Sequence, residues 1–192
     1  EIKETIDQNP EQKEKQAEKE SLFLVNEYAN KFFQQQLWDT EEGKNIGLSY
    51  FKEREFTEET IKKFHLGYSP DSWDALTKSA LQNGYKLEFL DKTGLTIVKD
   101  DKKFDRFKGR VLFPILSFSG RVLGFGGRIL KNNDKAAKYL NSPESEIYHK
   151  SNILYGIFHA KQAIIKEDQC YLVEGYTDVI SLHQNGIENV VA

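Results

Sequence analysis

Methionine is absent from the 192 residues, and cysteine occurs once, at Cys170. A single cysteine excludes an internal disulfide and any cysteine-rich zinc site, and it suits a reducing compartment, the cytoplasm. Without methionine, residue 1 is not an initiator. That fits processing or excision from a longer chain, and a strand-like ending at 189–192 points to excision. No apolar run approaches the roughly 20 residues that cross a bilayer, and no signal-peptide pattern opens the chain, so no membrane role is expected. The Gly-x-Ser-x-Gly elbow and the Gly-Lys-Ser/Thr end of a P-loop are both missing. Gly124-x-Gly126 fails the dinucleotide fingerprint because Ile129 stands where glycine is required. His65, His149, His159 and His183 show no metal-ligand spacing.

Net charge is −3, which excludes a uniformly basic nucleic-acid binder. The distribution is more telling than the sum. Residues 1–30 hold eight acids against four lysines, whereas residues 99–138 hold eleven Lys/Arg against four Asp. One cationic segment in an acidic chain is the footprint of a polyanion site. Within it, residues 99–103 read as a solvated lysine-rich loop.

Hydrophobic periodicity divides the chain. Residues 1–20 are polar and Glu/Lys/Gln-rich, a linker or the solvated start of a helix. From Leu22 the spacing is helical, with Val25, Tyr28, Ala29, Phe32, Phe33 and Leu37 near one face. Gly43 and Gly47 punctuate, and a short helix is expected over 48–54. Thr57 reads as an N-cap before Glu58 and Glu59, with Ile61 and Phe64 on the apolar face. A further helix starts at Pro70-Asp71-Ser72, carries Trp73, Leu76, Ala80 and Leu81, and stops at Gly84.

The character changes at Leu95. Strands are expected over 95–98, 107–113, 115–118 and 121–125, with Ser119-Gly120 as a tight turn and Pro114 as a bulge or edge position. Residues 131–137 read as a polar loop. A helix near 156–166 precedes strand 170–173, helix 177–185 and strand 189–192. The expected fold class is therefore α+β: a helical first half, a small mixed or antiparallel sheet, then an incomplete α/β unit.

Three groups of residues carry candidate chemistry. Glu174, where a buried-looking strand meets Gly175, and Asp178, at the next helix start, suit a divalent-metal site at a sheet edge; the plain alternative is a Glu bonded to a neighbouring loop and an Asp capping its helix. Arg106, Lys108 and Arg110 alternate, so on a strand they project from one face, with Arg121 and Arg128 across the turn. Such like charges repel unless a polyanion such as a phosphate backbone offsets them; the alternative is a solvated edge. Lys138, Tyr139 and Asn141 combine cation, aromatic and amide, a set that can grip a nucleotide or form an ordinary loop exit.

Taken in order, these blocks resemble the catalytic core of the bacterial replicative DNA primases of the DnaG type. Arg106-Phe107-Lys108-Gly109-Arg110-Val111-Leu112-Phe113-Pro114-Ile115 is similar to a core strand of that family. Gly120-Arg121-Val122-Leu123-Gly124-Phe125-Gly126-Gly127-Arg128 is similar to its glycine-rich hairpin. Lys138-Tyr139-Leu140-Asn141-Ser142-Pro143-Glu144 and Tyr148-His149-Lys150 resemble the blocks that follow, and Glu174-Gly175-Tyr176-Thr177-Asp178-Val179-Ile180 resembles the opening of its TOPRIM domain. The resemblance runs from about Leu22 to Ala192.

It implies synthesis of short RNA primers from nucleoside triphosphates on a single-stranded DNA template, with Mg2+ or Mn2+. Glu174 and Asp178 match the catalytic acids, Glu174 being also a metal ligand. Arg106, Arg110, Arg128, Lys138 and Lys150 match the basic ridge, with Lys108, Arg121, Tyr139 and Asn141 assigned to the same nucleic-acid and nucleotide surface. It further implies that 21–166 is the amino-terminal subdomain of the polymerase core and 167–192 a truncated first strand-helix-strand of TOPRIM. The zinc-binding amino-terminal module and the helicase-binding carboxy-terminal domain are missing. A fragment of this kind is expected to hold no metal and to lack primer synthesis. Other TOPRIM enzymes (topoisomerase or nuclease) and a non-catalytic single-strand-binding module are the competing readings.

Overall fold

The computed structural model describes residues 10–131 and 137–192. The first nine residues of the polar stretch, and 132–136 of the polar loop, lie outside them. Helix α1 (Pro10–Asp39) opens on proline, whose missing N–H is not needed in a first turn. Its first half is largely exposed, and its second half buries Leu22, Val25, Ala29, Phe32, Phe33 and Leu37. Asn26 interrupts that stripe usefully, since its amide donates to the Leu123 carbonyl at 2.9 Å and ties the helix to the sheet.

Gly43 and Gly47 do not punctuate. They lie inside a wide π turn, Gly43–Leu48, which runs on into α2 (Ser49–Lys52). A side chain at Gly43 would overlap the Gln36 carbonyl, so glycine serves close packing of the turn on α1 rather than a chain break. Helix α3 (Glu58–Lys63) starts at Thr57 as expected: the Thr60 N–H donates to the Thr57 hydroxyl at 3.2 Å.

The main sheet is antiparallel in the order β1 (Gly67–Ser69), β4 (Arg110–Leu116), β5 (Val122–Ile129), β6 (Tyr139–Asn141). All seven residues of β4 are buried, because both faces are covered. Val111, Phe113 and Ile115 join one core with Phe51, Phe64 and Tyr68; Leu112 and Leu116 join the other with Phe33, Leu76 and Phe125. Strand β4 passes through Pro114 without a break. Strand β1 pairs only with Arg110–Leu112, so the missing N–H falls beyond its reach; the irregularity comes later, between Ile115 and Leu116.

The lysine-rich segment 99–103 is not a loop. Strand β2 (Thr96–Lys99) pairs with β3 (Lys102–Asp105) through a two-residue turn whose Asp100 has φ +54°. Helix α4 (Ala75–Gln82) begins later than Pro70-Asp71-Ser72 suggests, because its cap is distant. The buried Asp105 carboxylate accepts from the N–H groups of Leu76 (2.7 Å) and Thr77 (3.0 Å). Helix α5 (Leu87–Lys92) follows.

After α6 (Ile157–Glu167), β7 (Tyr171–Leu172) pairs in parallel with β8 (Val190–Val191) across α7 (Tyr176–Gln184). This βαβ unit is docked on the main sheet. Val179, Ile180 and Val190 enter the core of Phe113, and the Tyr155 and Ala192 backbones exchange hydrogen bonds of 2.8 and 3.1 Å. The sheet with helices gathered around it is the α+β class expected. Among the described residues no helix is long and apolar enough to cross a membrane.

Three histidines meet where this unit docks. The His159 ring lies 4.4 Å from Phe64 and 6.1 Å from His183. Burial, with His183, His65 and Lys63 nearby, pushes the His159 imidazole down to about 4. A base with a depressed native pKa stabilises the fold fully above its unfolded value near 6.5 and loses that contribution as pH falls towards the folded value. Urea unfolding at pH 7 and near pH 4 should therefore differ by about 2–3 kcal/mol from this residue, and His159→Phe should reduce the difference. An unchanged acid dependence in that variant would contradict the assignment.

Candidate active-site cleft

An open cavity of about 600 Å³ lies between the βαβ unit and the β4–β6 end of the main sheet. Glu174 and Asp178 line one wall; Tyr139, Asn141 and Lys150 line the other. Glu174 comes two residues after β7 and Asp178 stands in the first turn of α7, so the strand-turn-helix order places both acids on the cleft. Both are exposed, and among the described residues neither carboxylate accepts a hydrogen bond or pairs with a cation. Glu174 therefore does not bond a neighbouring loop, and Asp178 does not cap its helix: the cap residue is Gly175, with no side-chain hydrogen bond. Both carboxylates are thus open, among the described residues, to a cation entering the cleft.

These are hard oxygen donors of the type Mg2+ takes, but there are few of them. Among the described residues no group of three or more His, Cys, Asp or Glu is placed to hold a metal ion. The set fits Mg2+ as it is usually held on enzymes, by one or two carboxylates with substrate phosphates and water.

Tyr176 fixes the acidic turn to the opposite wall. Its hydroxyl donates to Asn141 Oδ1 at 3.0 Å, and its ring lies 4.5 Å from Tyr155 and 5.7 Å from Phe113. Gly126 on β5 makes room for that ring, which a side chain there would overlap. Asn141 is thus spent on Tyr176 as well as facing the cleft.

The basic residues do not form one strand face. Residues 106–109 are a turn, closed by Gly109 at φ +66°, and β4 begins only at Arg110. Arg106 donates to the Gly94 carbonyl. Arg110 is buried and donates to the carbonyls of Ala137 (2.9 Å), Lys138 (3.3 Å) and Gly127 (3.4 Å), so it anchors β6 from within. Arg121 packs against α1: Glu20 takes its two terminal nitrogens at 2.7 Å each, Glu27 accepts from Nε at 3.3 Å, and Phe23 stacks beneath at 3.9 Å. Lys108 pairs with Asp71 at 3.5 Å. Among the described basic residues only Lys150 lines the cleft itself, with Arg128 at 5.9 Å from the Tyr139 ring centroid and Lys138 exposed beside β6.

Two features escaped the sequence. Arg54, in the turn two residues past α2, stacks on Tyr50 four residues before it, at 4.8 Å; the i, i+4 spacing was the available signal. Trp73, expected on the helix, precedes it and is half exposed, its ring 5.1 Å from Phe104 with Lys108 over it at 5.7 Å.

A cleft between an acid-bearing βαβ unit and an aromatic sheet edge, in a small antiparallel sheet with helices around it, defines an α+β protein. Residues 32–161 match the family described as DNA primase catalytic core, N-terminal domain. The chain is 44% identical over 177 residues to the DNA primase of Halalkalibacterium halodurans, covering 91% of this chain and 29% of that protein. It superposes with a TM-score of 0.84 and 39% identity on the RNA polymerase domain of Mycobacterium tuberculosis primase DnaG, covering 89% of this chain and 55% of that one. A DnaG primase catalytic domain bound to single-stranded DNA gives 0.83 and 37%, over 92% and 56%. The chain belongs to the DnaG-type DNA primase catalytic-core family. It spans less than a third of the length of the curated relatives it matches.

Proposed function

We propose that the protein carrying this chain is a nucleotidyltransferase that synthesises short RNA primers from nucleoside triphosphates on single-stranded DNA. The observation that carries this reading is the pair of unpaired carboxylates, Glu174 and Asp178, facing Tyr139 and Lys150 across one cleft in a member of the primase family. Related structures named for bound DNA support a single-stranded template as partner. The βαβ unit is read as the start of a TOPRIM domain, replicative helicase contact is assigned to segments outside this chain, and the setting is the cytoplasm.

Glu174 and Asp178 would hold Mg2+ or Mn2+, which when bound supplies charge neutralisation at the transferring phosphoryl group. The chain's own residues do the positioning. Tyr139 offers an exposed face on which a base can stack. Lys150 offers a cation for triphosphate or template phosphate, and Tyr176 holds the acidic turn at a fixed distance from both. Positioning and electrostatics suffice for phosphoryl transfer, so no covalent nucleophile is needed. With two acids lining the cleft among the described residues, the chain by itself is expected to lack primer synthesis.

Template-directed incorporation of ribonucleotides by the intact protein with Mg2+ tests this reading; no product on any single-stranded template would overturn it. The cationic surface has its own test. In a salt titration of single-stranded DNA binding, Lys150→Ala should weaken affinity and lower the slope of log K against log salt by about 0.7. Arg121→Ala should leave both unchanged, because Glu20 and Glu27 already neutralise it. Equal losses in the two variants would contradict this division.

A further inference from the structure

Tyr50 carries two arginines on one ring. Arg54 Cζ lies 4.8 Å and Arg128 Cζ 4.6 Å from its centroid. The residue is 8% exposed, and its hydroxyl and the neighbouring Arg128 Nε are both buried without a hydrogen-bond partner among the described residues. Arg128 reaches on to Tyr139, so the order Arg54, Tyr50, Arg128, Tyr139 runs from α2 to the cleft. Neither arginine has a carboxylate partner among the described residues, in contrast to Arg121.

Two guanidinium groups on one ring lie within about 10 Å of each other, a range over which salt screens incompletely. Without an acid between them they would drift apart into solvent. The negative face of an aromatic ring attracts each of them, most strongly where it is desolvated, as this buried ring is. We infer that Tyr50 is a positioning residue, whose ring holds Arg54 and Arg128 together in a row that reaches the cleft through Tyr139, so that both engage one stretch of phosphate backbone. The inference rests on the nucleic-acid reading above. Its physical content is preorganisation: the ordering of two long side chains is done before the strand arrives.

The test is binding of a labelled oligothymidylate to the intact protein across a salt series, with unfolding curves for every variant. Tyr50→Phe keeps the ring and should bind as the parent does. Tyr50→Leu should weaken binding about three- to tenfold without changing the salt slope, because both charges remain. Arg128→Ala should weaken binding and lower the slope by about 0.7. The double variant Tyr50→Leu/Arg128→Ala should fall clearly short of the product of the two single losses, since Tyr50 acts partly through Arg128. Should Tyr50→Leu fail to fold, pentafluorophenylalanine at position 50, compared with Phe, removes the ring's negative face at nearly constant volume and should reproduce the loss. Full additivity, equal losses in the Phe and Leu variants, or no effect of ring fluorination would overturn the inference. If Arg54→Ala and Arg128→Ala both bind as the parent does, the nucleic-acid reading of this face fails first, and the role of Tyr50 with it.

Discussion

Glu174→Gln in the full-length protein should lower primer synthesis by about 10²–10³-fold or more, the scale of losing one group that stabilises transition-state charge. The substitution keeps size and shape and removes only the charge. Glu174 is exposed and makes no hydrogen bond or ion pair among the described residues, so stability should change by less than about 0.5 kcal/mol. That separation makes the experiment decisive. A structural glutamate would move the unfolding midpoint with the activity; a metal-holding one moves activity alone. Single-stranded DNA binding measured without divalent ions should be equal or slightly tighter, because a negative charge has left the cleft. Primer synthesis near the parent level would remove the basis for placing chemistry at this turn.

Gly126→Ala should destabilise the fold by about 1–3 kcal/mol, the usual cost of forcing extra volume into a packed site. The added methyl would overlap the Tyr176 ring, which cannot swing aside because Tyr155 and Phe113 pack against it and Asn141 Oδ1 accepts a hydrogen bond from its hydroxyl. The strain falls on the residue two positions after Glu174, so primer synthesis should fall with stability. Tyr176→Ala should make the same glycine substitution nearly neutral when the two are combined, a coupling that urea unfolding of the four proteins would measure. If Gly126→Ala proves as stable and active as the parent, the acidic turn is not seated against β5.

Much of this was legible from local chemistry. The apolar stripe of α1, the Thr57 cap and the parallel unit around α7 all depend on neighbours a few residues away, and they formed as the spacing predicted. Glu174 and Asp178 reached one cleft for the same reason, since strand, turn and helix are consecutive. What failed depended on distant partners. Alternation put Arg106, Lys108 and Arg110 on one strand face, but the left-handed Gly109 delays the strand, and the carbonyls of Ala137 and Lys138 claim Arg110. Nothing near Ala75 announces that its helix is capped by Asp105, thirty residues on. Arg121 was indistinguishable from Arg128 by residue type; only the placement of Glu20 and Glu27 on α1 separates a neutralised arginine from one still open to a ligand.

Strand β4 has cores on both sides, with Phe113 and Ile115 also forming the floor of the cleft. Tuning the cleft from below therefore disturbs the packing on which the molecule's cohesion depends. Evolution or an engineer seeking altered substrate preference would find this floor closed to gradual change. Useful variation is confined to the walls, at Tyr139, Lys150 and the side chains between them and Arg54.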